Sequence, residues 1–266
     1  MLECIISMVN FPHFLAHLLF FYVLLGEPYA AYLLYRSLII NSYFQPRARI
    51  DFYYRKLSVY WILIGLVAVV GLTYNPASIN LWIGQLNDGG LGLLMVVLLT
   101  ALIAFILLVF WEKLRKPFLS VTSLTPSILP ETLIERFLYA AMAISGGLSE
   151  ELVYRGFLWF YFRMVFPALP VWCLVIFWTF LFTAGHYYQY QLNAQKGEFL
   201  WSGISTLGLF GNMVMGLVYG TMVAFSGSLI PSIVLHALYD LNAILARPSW
   251  GLASYRRRQE STRISR

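Results

Sequence analysis

Hydrophobic residues run along this chain in blocks of bilayer length. Leu57 to Asn87, Gly89 to Trp111, Met164 to Gln195 and Phe199 to Tyr239 contain no Asp, Glu, Lys or Arg. A helix crosses the hydrocarbon of a membrane with about 20 apolar residues, so each block is long enough for at least one span. Membrane strands would need segments of roughly 10 residues with alternating polarity, and these blocks are apolar on every face. The pattern therefore predicts an all-α, polytopic membrane bundle with spans near 4–26, 57–75, 90–111, 137–162, 170–189, 203–226 and 229–246. The segment 27–44 is also apolar but carries Glu27 and Arg36; it reads as an interfacial helix or as an eighth span.

Composition removes the soluble alternative. Of 266 residues, 60% are hydrophobic and 11% charged, which is too little polar surface to coat a water-soluble globule of this size. The net charge of +6 does not point to nucleic acid, because the Lys and Arg fall between the apolar blocks and in the tail. A positive-inside bias accounts for them. It puts the loop with Arg47, Arg49, Arg55 and Lys56, the loop with Lys113, Arg115, Lys116 and Arg136, and the basic tail on the cytoplasmic side. Cys4 and Cys173 lie in separate apolar segments and suggest no disulfide framework. The first apolar run has no basic region ahead of it and is expected to be a retained span.

The Ser-, Thr- and Pro-rich stretch from Phe118 to Glu131, followed by a helix start at "PETLIERF", divides the chain. N-terminal helices occupy 1–117, a core of four helices 118–246, and a basic tail 247–266. The core carries the polar residues that need explaining. In "GGLSEELVYRG", Glu150, Glu151 and Arg155 lie inside a span, where even one charge costs on the order of 3 kcal/mol. Glu151 and Arg155, four apart, share a helix face and can pair. Glu150 is turned about 100° away and faces a different neighbour. "FTAGH" places Phe182 and His186 one turn apart, and "HALYDLN" places His236 and Asp240 on one face. Taken singly, such residues serve equally well as interface anchors or helix-stitching pairs; together, a free carboxylate, two imidazoles and a further acid form a set suited to acid–base hydrolysis. Two further features read as structural: Gly216-x-x-x-Gly220 as a close helix contact, and His13 with His17 as interfacial anchors.

These residues resemble the three motifs of the CAAX protease and bacteriocin-processing family of glutamate-type intramembrane endopeptidases: Glu150-Glu151-x-x-x-Arg155, Phe182-x-x-x-His186 and His236-x-x-x-Asp240, in that order. The resemblance covers about Pro130 to Ala246. It implies that Glu150 and His186 activate a water molecule and that His236 and Asp240 stand at the oxyanion. Glu151 and Arg155 would orient Glu150, with Phe182 in support and no cofactor. Where prenyl-protein proteases of the family carry Asn, this chain has Asp240; an ionised Asp would repel an oxyanion, so the residue must be protonated or orient His236. The implied partners are the bilayer and a peptide or lipidated protein. The implied location is the cell membrane in a prokaryote or the endoplasmic reticulum in a eukaryote. Two rival readings use the same residues: a zinc protease liganded by Glu150, His186 and His236, although no HExxH helix is present, and a non-catalytic membrane protein conferring immunity to a peptide toxin.

Overall fold

The computed structural model describes residues 11–40, 46–74, 84, 88–110, 130, 132–186, 192–193, 198–199 and 206–241. Its helices are α1 (Phe11–Phe21), α2 (Glu27–Ile40), α3 (Pro46–Tyr74), α4 (Asp88–Phe110), α5 (Leu133–Glu151), α6 (Leu158–Val165), α7 (Val171–Gly185), α8 (Thr206–Ser226) and α9 (Ile230–Leu241). Between α7 and α8 a two-residue antiparallel pair, β1 (Leu192–Asn193) with β2 (Glu198–Phe199), is the one departure from helix among the described elements. The chain is an integral membrane helical bundle. Three described stretches are long and apolar enough to cross a bilayer, namely Pro12–Leu34, Arg49–Tyr74 and Leu209–Ser226, while Asp88–Thr100, Val171–Gly185 and Ile230–Leu241 are apolar but shorter. Phe14, Leu18, Leu25, Trp61, Ile62, Ile176, Phe180 and Phe225 all lie exposed on the outside of the bundle. Such a surface is stable only against lipid.

Two features of the N-terminal half differ from the pattern-based reading. No break separates 4–26 from 27–44: α1 runs into α2 through a π turn at Tyr22–Gly26, with the Glu27 N–H bonded to the Tyr22 carbonyl. Pro28 explains the widening, since its ring would press on the carbonyl four residues back in a regular α-helix and it has no N–H to donate. The basic residues at 47–56, expected in a loop, instead lie in the first turns of α3. Pro46 suits a first helical position. Arg49 and Lys56 are buried there, and Arg49 Nε donates to Glu135 Oε1 at 2.8 Å. Residues 111–129 and 242–266, which include most of the second basic loop and the tail, lie outside the described residues.

Glu135 has a second task. Thr132 caps α5 through a reciprocal box, its hydroxyl accepting from the Glu135 N–H at 3.2 Å while Glu135 Oε2 accepts from the Thr132 N–H at 2.7 Å. This satisfies two donors that a helix start leaves open and confirms the start anticipated at "PETLIERF". The Arg49 pair ties that capped end to α3, and α5 then runs between α3 and α9.

Small residues set the helix spacing around α5 and α8. A Cβ on Gly216 or Gly220 would lie 3.1 Å from Thr179 Cγ2 or Val175 Cγ1 of α7, so the Gly-x-x-x-Gly spacing is a helix contact. A Cβ on Gly147 would come within 2.8 Å of the Ala237 backbone nitrogen. Gly147→Val must therefore push α9 off α5, and we expect a loss of about 1–3 kcal/mol, read as a lowered Tm in detergent.

Candidate active site

Glu150 and Glu151 end α5, and the helix widens into a second π turn, Leu152–Phe157, where the Leu158 N–H reaches back to the Val153 carbonyl. Such turns recur at functional positions. Arg155 sits within it and donates from Nη1 to Glu151 Oε1 at 2.9 Å, both side chains fully buried. The predicted ion pair is thus present. Arg155 also donates from Nη2 to the Gly216 carbonyl at 3.4 Å and lies 4.5 Å from the Phe182 ring centre and 5.4 Å from that of Tyr219. A carboxylate, a carbonyl and aromatic faces take the place of water around this buried guanidinium.

Glu151 has a second partner on α9. His236 Nδ1 donates to Glu151 Oε1 at 2.9 Å, since an ionised carboxylate can only accept. The ring stacks on Tyr219 of α8 at 4.7 Å and 15° and meets Phe182 of α7 edge-on at 5.9 Å. On α7, the His186 Nδ1–H donates to the Phe182 carbonyl at 2.7 Å, which leaves Nε2 as the free face of that ring. Both Nε2 atoms converge on one oxygen: Glu150 Oε2 lies 3.6 Å from His186 Nε2 and 3.6 Å from His236 Nε2. That oxygen is buried and accepts no hydrogen bond among the described residues.

Asp240 is farther out. Its Oδ2 is 3.9 Å from His236 Nε2, beyond hydrogen-bonding range, and its side chain is 35% exposed. Its backbone carbonyl accepts from the Tyr139 hydroxyl at 3.4 Å. The structure therefore brings all seven motif residues, Glu150, Glu151, Arg155, Phe182, His186, His236 and Asp240, around one polar centre, with Asp240 at its rim. No three His, Cys, Asp or Glu among the described residues are arranged as a metal-binding group. His17, read as an anchor, instead bonds through Nδ1 to the Tyr161 hydroxyl at 2.7 Å, away from this centre.

Sequence reasoning missed two contributors, both on α3. The Tyr60 hydroxyl donates to Glu150 Oε1 at 3.3 Å, and the buried Lys56 ammonium lies 5.1 Å from the centre of the Tyr60 ring. Their i, i+4 spacing was visible, but Lys56 read as one of a topogenic basic cluster and Tyr60 as one of 18 tyrosines.

A helical bundle in lipid with paired carboxylates and imidazoles in its interior is a polytopic membrane protein with a candidate functional site inside the bilayer. Residues 132–242 match the family model for type II CAAX prenyl endopeptidase, Rce1-like. The matched segment is similar to that CAAX protease family, and it begins at the Thr132 cap and takes in every motif residue. No curated protein and no solved structure matches the chain.

Proposed function

We propose that this protein is an intramembrane endopeptidase in which Glu150 and His186 activate water against a peptide bond. The observation that carries the reading is the convergence of two imidazole Nε2 atoms on one buried carboxylate oxygen at 3.6 Å each. That spacing is too long for direct hydrogen bonds, and it lets one water, seated to the side of the pair, hydrogen-bond to the carboxylate oxygen and an imidazole at once.

In this reading the water oxygen attacks the carbonyl carbon, its proton passes to Glu150 Oε2, and the carbonyl π electrons move to oxygen. His236, as imidazolium, carries one proton to Glu151 and the other on Nε2, which donates to the oxyanion. Collapse re-forms the carbonyl and breaks the C–N bond, and the proton held by Glu150 leaves with the amine. Asp240, 3.9 Å from His236 Nε2, acts on the orientation and charge of that ring. Phe182 serves both imidazoles, with its carbonyl under His186 and its ring against His236.

The substrates in this reading are membrane-associated peptides or proteins, including prenylated C-termini, presented from a cytoplasmic face that also holds the basic tail. The test is cleavage of matched peptides with and without a prenyl chain by the full-length protein in defined lipid, with and without a strong chelator. We expect hydrolysis that survives chelation and is retained in Asp240→Asn, an isosteric donor that cannot repel the oxyanion. Inhibition by the chelator that added zinc reverses would transfer the chemistry to a metal. Cleavage of neither peptide would remove the endopeptidase reading.

A further inference from the structure

The segment similar to the Rce1-like family spans 132–242, yet one hydrogen bond to its central carboxylate comes from outside it. Tyr60 lies on α3, and its hydroxyl donates to Glu150 Oε1 at 3.3 Å, leaving Oε2 to face the two imidazoles. The terminal torsion of a glutamate is broad and roughly two-fold. Without a donor on one oxygen, the carboxylate plane is free to turn and Oε2 loses its aim.

Tyr60 is itself firmly mounted. Its backbone carbonyl accepts from the Ser149 hydroxyl at 3.4 Å, next to Glu150 in sequence. A Cβ on Gly146 would lie 3.1 Å from its ring, so the glycine lets the ring lie close against α5. The Lys56 ammonium sits over the ring, and its charge also acts on Glu27, Glu150, His186 and Asp240. Glu27, one of the groups its charge acts on, belongs to the α1–α2 helix. The N-terminal helices therefore reach the reaction centre in two ways, through a hydroxyl and through a charge.

We propose that Tyr60, on the Lys56 face of α3, is a positioning residue for Glu150, its hydroxyl fixing Oε1 so that Oε2 is presented to His186 and His236. The inference rests on the endopeptidase reading, and the experiment separates the two. Full-length Tyr60→Phe, Glu150→Gln and the double variant are compared in lipid on one peptide substrate. Tyr60→Phe keeps the ring under Lys56 and removes only the donor. We expect kcat to fall about 10-fold, the scale of one hydrogen bond to a charged group, with KM and Tm unchanged. In the Glu150→Gln background the same change adds no further loss, because the two residues act through one contact.

An unchanged kcat in Tyr60→Phe, with Glu150→Gln inactive, overturns the positioning role and leaves the endopeptidase reading standing. A fall in kcat matched by a fall in Tm overturns it in favour of packing. Full activity in Glu150→Gln removes both. A second measurement does not depend on turnover: the Glu150 carboxylate stretch, isolated as the infrared difference between wild type and Glu150→Gln, is expected to shift in Tyr60→Phe, and an unmoved band counts against the contact.

Discussion

Glu150→Gln is expected to reduce kcat by about 10²–10⁴-fold, the range that one positioned proton-transfer group supplies, while KM and Tm stay near wild type. The substitution isolates the chemistry. Glutamine has the same shape, can still accept from the Tyr60 hydroxyl, which is 3.3 Å from Glu150 Oε1, and adds no bulk between the imidazoles. What it cannot do is take a proton from water. His186→Ala should cost a comparable factor, and the Glu150→Gln/His186→Ala double variant should be little worse than either alone, because residues acting as one unit are not additive. Initial rates on a single peptide in defined lipid decide the matter. Multiplying losses in the double variant would mean that the two residues act separately, and the shared-water picture would fail.

The second large effect is on folding. Arg155→Leu leaves Glu151 fully buried with His236 as its remaining partner, since Arg155 Nη1 and His236 Nδ1 share the same Oε1 at 2.9 Å each. Removing one member of a buried pair costs about 3–5 kcal/mol, enough to abolish yield or to lower Tm sharply. The remedy is to remove the stranded charge as well: Arg155→Leu/Glu151→Gln should recover much of the lost stability, because replacing both partners of a buried pair is far less costly than replacing one. Thermal unfolding in detergent measures both. If the double variant is no more stable than the single one, Arg155 contributes mainly through packing on Phe182 and Tyr219.

The parts of this molecule legible in its sequence are those set by short-range rules or by charge in the wrong solvent. The Thr132 and Glu135 box announces its helix start because both members lie within one turn. Glu151 and Arg155 could be paired from their spacing, and the three motifs could be gathered because polar residues converge in otherwise uncharged blocks and resemble a known family's motifs in order. The α1–α2 continuity and both π turns were not legible, since a widened turn leaves the hydrophobic pattern almost unchanged. Nor was the origin of Arg49, Lys56 and Tyr60, whose partners lie 86 to 90 positions away for Arg49 and Tyr60. Basic residues beside a span satisfy the topogenic rule whether they face the cytoplasm or turn inward, and the sequence gives no sign of which. Asp240 shows the same limit at short range: the i, i+4 spacing placed it beside His236, while the 3.9 Å separation and its exposure depended on the packing of α9.

The π turn at Leu152–Phe157 also constrains how the chain length can vary. In a loop, a residue gained or lost is absorbed by slack; here the surplus residue is already held inside a helix, between the acidic pair and the aromatic segment that follows. Deleting one residue of the turn would let it relax to ordinary α geometry with the flanking segments kept in register, whereas a deletion in the regular helix on either side would swing everything beyond it by about 100°, carrying Tyr161 and Phe162, both buried in the apolar core, toward lipid. A single-residue deletion between 152 and 157 that spares Arg155 should therefore disturb the packing beyond it less than the same deletion in α5 or α6. In sequences related to this one, a chain one residue shorter between Glu151 and Leu158 should carry a regular α-helix in place of the π turn, with the aromatic segment beyond it still facing the core.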